Sequence, residues 1–149
     1  ISLVFLGRSI LISQVLCLKL LHFKEEEMFT ETTGIMLYVD DVIAEKEFWV
    51  AIGFSIQNET EMMGYESFEM KPHKDSSTVF TVYDKEFIKQ VSPQVIDHVP
   101  SVLFEAKEIE NLQERVAGLT DTASDVQTEP FPNFNFASPS GIYFAVRGV

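Results

Sequence analysis

The stretch Gly34-Ile35-Met36-Leu37-Tyr38-Val39-Asp40-Asp41-Val42 decides the fold of this chain. Its apolar residues alternate with a period of two, which predicts a strand buried on at least one face. The paired aspartates predict a helix start, because either carboxylate can accept a backbone N–H bond and suits the positive end of a helix. We expect this helix to end at Gly53. Its predicted apolar stripe consists of Ala44, Phe48, Ala51 and Ile52.

Three further strands are predicted after this helix. Residues 54–57 are the start of the second strand, the third strand spans 62–70 and the fourth spans 78–83. A polar loop at residues 71–77 separates the last two. One βαβββ unit therefore closes near Tyr83.

A weaker copy of the opening stretch returns at residues 101–109. Leu37 and Phe104 have the same sequence separation as Val42 and Ile109, which indicates an internal duplication. The copy predicts a strand and then a helix that ends at Gly118. The apolar stripe of this helix is Ile109, Leu112 and Val116. The remaining predicted strands are 121–128, 134–137 and 142–147, with a Ser138-Pro139-Ser140-Gly141 turn before the last.

Residues 28–149 are therefore predicted to form one domain of two modules, 34–83 and 99–149, joined by a linker at 84–98. Residues 1–27 form a doubtful extension: either a loosely attached helix, or upstream sequence translated ahead of a true start at Met28. The second interpretation follows from Lys24-Glu25-Glu26-Glu27, whose codons can encode a bacterial ribosome-binding sequence. We expect no membrane span, because three polar residues interrupt the apolar run. They are Arg8, Gln14 and Lys19.

The charge and the cysteine content narrow the function classes. A formal net charge of −12 argues against nucleic-acid binding, which needs clustered Lys and Arg. The same charge fits either a cationic ligand or simple solubility. The single cysteine, Cys17, cannot form an internal disulfide, so we expect a cytoplasmic protein.

Several motifs, taken in order, resemble the vicinal oxygen chelate superfamily of glyoxalase I, extradiol dioxygenases, fosfomycin-resistance enzymes and bleomycin-binding proteins. They are residues 37–41, Phe48-Trp49, Ile52-Gly53-Phe54 and residues 138–146. The resemblance implies an α+β fold in which two βαβββ modules form a curled mixed sheet with a cleft. It also implies a homodimer that binds a small molecule.

The resemblance implies metal ligands at three positions, which hold Gly34, Ser101 and Ala145 in this chain. Glycine and alanine offer no ligand atom, and a serine hydroxyl is a poor ligand for zinc or iron. We therefore expect no metal and no other cofactor. The histidines are expected to be structural or solvent-facing, because no two of them have metal-binding spacing. They are His22, His73 and His98.

If the same alternate strand positions face the cleft as in the family, residues of three strands point into it, and two phenylalanines could form an aromatic wall. The candidate ligand-binding residues are Met36, Tyr38, Leu103, Glu105, Tyr143, Arg147, Phe134 and Phe136. Core or dimer packing explains the apolar members equally well. Glu105 is expected to form an ion pair with Arg147 or stay hydrated, or else to meet a cationic ligand or act as a base.

The sequence thus predicts a metal-independent protein that binds a small aromatic or cationic compound. Two alternatives stay open. One is a metal-dependent lyase, isomerase or dioxygenase that uses displaced ligands such as His98 or Glu105. The other is a dimeric interaction or regulatory module without a small ligand.

Overall fold

The computed structural model describes residues 27–149, so the predictions for residues 1–26 lie outside the described part of the chain. The compact unit Thr32–Val149 holds every element named below. The strands are β1 (Thr33–Val39), β2 (Ser55–Met62), β3 (Tyr65–Lys71), β4 (Thr78–Asp84), β5 (Leu103–Ala106), β6 (Asn133–Ala137) and β7 (Tyr143–Gly148). The α-helices are α1 (Val42–Ala51), α2 (Lys85–Val91) and α3 (Ile109–Ala117), and a short 3-10 turn covers Pro93–Val95.

The strands form two sheets with related topology. The first has the order β1-β4-β3-β2 and the second the order β5-β7-β6. In each sheet the first strand of the module pairs in parallel with the last, and the remaining pairs are antiparallel. The predicted α+β class and its two related modules are confirmed. The sheets are two hydrogen-bonded units, however, and not one continuous curled sheet.

The predicted strand at residues 121–128 is wrong, since this segment makes only one isolated bridge, between Gln127 and Asn133. Two hydroxyl groups replace part of the missing ladder. The backbone N–H of Ala137 donates to the Thr122 Oγ1 at 2.8 Å, and that of Asn135 donates to the Ser124 Oγ at 3.0 Å. Side chains that bond the backbone in this way compete with regular strand pairing.

The predicted continuous strand at residues 62–70 is also wrong, because a hairpin turn interrupts it. Met63 and Gly64 have φ values of 54° and 82°, and they separate β2 from β3. Two central residues with positive φ give the twist that joins antiparallel strands. Methionine is an unusual residue for this position, so the sequence carried a weak turn signal.

Helix α1 starts and ends as predicted, but its buried face differs. The Asp41 side chain caps it by accepting the Ala44 N–H at 3.0 Å, and Gly53 follows its end with a φ of 108°. Ala51 is exposed, whereas Trp49 and Glu45 are fully buried. The buried stripe is therefore Val42, Glu45, Phe48, Trp49 and Ile52.

Trp49 is the centre of an aromatic core to which both modules contribute. Its ring centroid lies 4.6 Å from that of Phe54 in its own module and 4.9 Å from that of Phe144 in the second. Phe104 and Phe136 are also within 6.1 Å of it. Aromatic pairs at these separations add stability beyond the area they bury. The helix-facing sides of both sheets therefore share one core.

Glu45 links the modules through hydrogen bonds. The Trp49 Nε1 donates to one carboxylate oxygen at 2.8 Å. The Ser138 hydroxyl and the Ser140 backbone N–H donate to the other oxygen at 2.9 Å and 2.8 Å. A buried carboxylate needs such donors, because burial removes its water. Helix α1 is thereby joined to the turn before β7.

The linker contains helix α2, which the sequence predicted as a short helical turn at residues 85–90. Its Phe87 packs on Tyr83 and Tyr65 with centroid distances of 5.9 Å and 6.1 Å. On the solvent side, a hydrogen bond from Lys89 to Glu86, together with the charge of Glu86, raises the pKa of Lys89. Within residues 27–149, no helix is long and apolar enough to cross a membrane.

Replacing Gly53 with alanine is expected to lower the free energy of unfolding by about 1–2 kcal/mol, because an L side chain is strained at this positive φ. Gly118→Ala is the matched control at the end of α3, where φ is −73°. Its new Cβ would make only ordinary contacts, so we expect a change within about 0.5 kcal/mol. Urea unfolding of both variants measures the difference, and equal effects would contradict this account.

Truncating Glu45 to alanine leaves three donors without their acceptor, so we expect a loss of about 3 kcal/mol or more in the free energy of unfolding. In Glu45→Gln the side-chain amide oxygen can still accept the two hydrogen bonds from the turn, but the amide NH2 group would face the Trp49 N–H, so that two donors oppose each other. The expected loss in the free energy of unfolding is therefore about 1–2 kcal/mol. Exposed Glu47→Ala on the same helix serves as the control. The prediction fails if denaturant unfolding gives the same free energy of unfolding for Glu45→Ala and Glu47→Ala.

Candidate functional site

The side of β5 and β7 that faces away from the core is named here the open face. Leu103 is 50% exposed and Tyr143 61% exposed on this face, and Met36 on β1 of the first sheet is 54% exposed. The strand neighbours of these residues are buried or partly buried on the core side, for example Leu37 and Phe144. The predicted alternation is thus observed for all three residues. Leu103 and Tyr143 on adjacent strands make the open face a candidate surface for binding another molecule.

Strand register arranges the second module's part of the open face in rows. Leu103 on β5, Ala145 on β7 and Asn135 on β6 are aligned in one row. The next row contains Glu105, Arg147 and Asn133 in the same strand order. The first row therefore has an apolar pair, Leu103 and Ala145, with the polar Asn135 at its end, and it lies beside a row that carries both signs of charge.

Of the alternatives left open for Glu105, the ion pair with Arg147 is not observed, and the exposure of Glu105 agrees with the hydrated alternative. The Arg147 guanidinium carbon lies 4.9 Å from the centroid of the Phe131 ring, which is a cation–π contact. Its Nε atom is buried and has no hydrogen-bond partner within residues 27–149. Glu105 is exposed. Phe131 is therefore the side chain that holds Arg147, a contact that strand alternation could not indicate because Phe131 precedes β6.

Tyr38 and Tyr143 both line a depression of about 530 Å³, which Met36, the other candidate of the first module, does not line. Tyr38 is 7% exposed, and linker residues 96–100 line the same depression. The Lys85 ammonium lies 3.3 Å from an Asp40 carboxylate oxygen. The polar residues that line the depression include Lys85, Asp97, His98, Ser101 and Ser140.

Phe134 and Phe136 were predicted as an aromatic wall, and the structure places both in the core at 1% exposure. Phe136 packs on Phe48, Trp49 and Phe144 with centroid distances between 5.8 Å and 5.9 Å. These two phenylalanines support the sheet from behind. They present no surface to a ligand on the open face.

The positions at which the resemblance implies metal ligands lie on strands or close to them. Gly34 is in β1 opposite Val79, and Ala145 is in β7 opposite Leu103. Ser101 precedes β5 and lines the depression near Tyr38. In the part of the chain that the structure describes, no three His, Cys, Asp or Glu side chains are grouped to hold a metal. His73 is exposed, and its Nδ1 accepts the Asp75 N–H at 3.1 Å.

A larger depression of about 650 Å³ lies on the other side of the first sheet, between α1 and strands β2 and β3. Its apolar lining includes Ile43, Val50 and Phe68. Its charged lining is Lys46, Glu47, Glu59, Glu61 and Glu66. Lys46 forms an ion pair with Glu59. The sequence analysis did not predict this surface. The available signal was that Ile43 and Val50 are apolar but lie outside the predicted apolar stripe of the helix.

No protein-family model and no curated protein sequence matches the chain. Solved structures do match its fold. TnmS3, an antibiotic binding protein from Streptomyces, is 14% identical over 83% of this chain and 98% of its own, with a TM-score of 0.64. A glyoxalase/bleomycin resistance protein/dioxygenase from Nocardioides is 17% identical over 90% and 92%, with a TM-score of 0.62.

The fosfomycin resistance protein FosX from Listeria monocytogenes is 11% identical over 82% of this chain and 93% of its own, with a TM-score of 0.55. Identities this low establish the architecture and carry no information about the ligand. The TM-scores above 0.5 nevertheless show that these proteins and this chain share an overall fold. The chain therefore has the fold of the glyoxalase/bleomycin resistance/dioxygenase proteins among these matches.

Proposed function

We propose that this protein binds a small aromatic or cationic molecule on its open face and does so without a metal ion. The observation that carries the proposal is that exposed Leu103 and Tyr143 lie on one face together with the small Ala145, which is opposite Leu103 and two residues after Tyr143. Ligand sites are mostly apolar surfaces with a few placed polar groups. Glu105 and Arg147 supply those polar groups here.

Metal independence is supported by the residues at the expected ligand positions. Gly34 and Ala145 contribute no donor atom, and the described residues contain no alternative cluster of His, Cys, Asp or Glu. Binding on this face therefore depends on apolar contact, aromatic rings and hydrogen bonds. The antibiotic binding protein TnmS3 shares the fold, which supports binding as a role for this architecture.

A homodimer is part of the proposal. An open face with half-exposed apolar residues leaves surface for a second copy to cover. The partner would enclose a ligand that a single copy leaves exposed on one side. A cytoplasmic location is proposed with it, on the basis of a sequence that has one cysteine and so no internal disulfide.

Protein purified without chelators is expected to contain well below one equivalent of zinc, nickel, iron or manganese by elemental analysis. The physical reason is the lack of donor atoms at Gly34 and Ala145. A second portion, dialysed against zinc and then against buffer, serves as the positive control for adventitious binding. Stoichiometric metal that survives dialysis, together with turnover of a glyoxalase-type or dioxygenase-type substrate, would establish the enzyme alternative.

A thermal-shift panel of aromatic amines, cationic antibiotics and neutral aromatic compounds tests the binding itself, because a ligand selective for the native state raises the Tm. We expect at least one hit whose affinity drops about tenfold in Tyr143→Ala and in Leu103→Ala, the cost of losing one apolar contact. Leu119→Ala removes an exposed leucine outside the open face and is the matched control. A panel without any hit would support the interaction-module alternative.

A further inference from the structure

The row of Glu105, Arg147 and Asn133 crosses three strands, β5, β7 and β6, on the open face. Backbones of neighbouring strands lie about 4.8 Å apart. A carboxylate and a guanidinium therefore project side by side from adjacent strands. Side chains this close normally form an ion pair when nothing else holds them.

Arg147 is held elsewhere and is incompletely satisfied. Its guanidinium lies over the Phe131 ring, and its buried Nε–H has no acceptor within residues 27–149. Buried donors without a partner are rare and destabilising, so each one needs an explanation. This Nε–H is closed to solvent, so a bound molecule would contact Arg147 through the terminal N–H groups of the guanidinium.

Glu105 is exposed and makes no ion pair with any residue from 27 to 149. The net charge of −12 repels free anions, and Glu105 itself opposes an anion bound at Arg147. A ligand with both charges avoids this repulsion, because its cationic group faces the carboxylate. The apolar row of Leu103 and Ala145 lies two residues away along the strands, roughly 6.8 Å.

We propose that this charged row binds the head group of a zwitterion with neighbouring ammonium and carboxylate groups, as in an α-amino acid. The ligand carboxylate accepts hydrogen bonds from Arg147, and its ammonium group donates to Glu105. An apolar or aromatic remainder then covers Leu103 and Ala145. The inference deepens the proposed function and rests on it, since it assigns the ligand class for the same face.

The test compares phenylalanine with two matched probes that each lack one charge, 3-phenylpropionate and phenethylamine. Their dissociation constants are measured by NMR titration of the unmodified protein. We expect phenylalanine to bind about tenfold more tightly than either probe, the effect of one added charge-assisted hydrogen bond. The terminal Nη–H resonances of Arg147 should shift downfield with phenylalanine and 3-phenylpropionate and stay unchanged with phenethylamine.

Two variants separate the charges. Arg147→Gln should remove the preference for phenylalanine over phenethylamine, and Arg147→Lys should restore part of it. Glu105→Gln should remove the preference for phenylalanine over 3-phenylpropionate. Arg115→Gln, which removes an exposed arginine from α3, should leave all three affinities unchanged.

Equal affinities for the three probes, or a preference that survives Arg147→Gln, would overturn the inference and leave the proposed function standing. If neither these probes nor any neutral aromatic compound binds, the proposed function fails and the inference fails with it. The Nη–H measurement uses the unmodified protein, so an unstable variant does not affect it.

Discussion

The contact on which the rest of the structure depends is the hydrogen bonding of one buried carboxylate. Glu45 on α1 accepts the Trp49 N–H from its own helix and two donors from the turn before β7. This turn sets where β7 begins, and β7 is the central strand of the second sheet. The carboxylate therefore fixes the position of α1 relative to the strand that carries Tyr143 and Arg147. Oriented hydrogen bonds supply the direction that apolar packing alone lacks.

Aromatic packing around Trp49 makes the helix side of the two sheets different from the opposite side. Rings from both modules meet on the helix side of the sheets, which uses most of the large apolar residues in one core. The opposite side keeps a smaller set, of which Leu103 and Tyr143 are half exposed or more. The rigid core supports the strands from behind, so the open face can keep exposed groups in fixed positions.

The candidate site shows what alternation along strands can and cannot predict. Alternation correctly separated Met36, Leu103 and Tyr143 from the core, because the period of two is a property of the strand itself. It could not place Phe134 and Phe136, since both sides of a strand can carry aromatic rings and only packing decides which side is buried. Nor could it indicate that Phe131 holds the Arg147 guanidinium, because that contact joins a loop to a strand.

By itself the sequence determined the helices, most of the strands, the duplication, a helix start at Asp40 or Asp41 and the helix stop at Gly53, and the structure selects Asp41 as the cap. These are local properties, which depend on hydrogen bonding and backbone conformation within a few residues. Tertiary structure alone decided three features: the hairpin at Met63-Gly64, the replacement of a strand by hydroxyl contacts at residues 121–128, and the burial of Glu45. Each of these depends on partners that are distant in the chain or on packing that overrides local preference. A glutamate on a helix is indistinguishable from a solvent-facing one until its partners, more than ninety residues away, are folded against it.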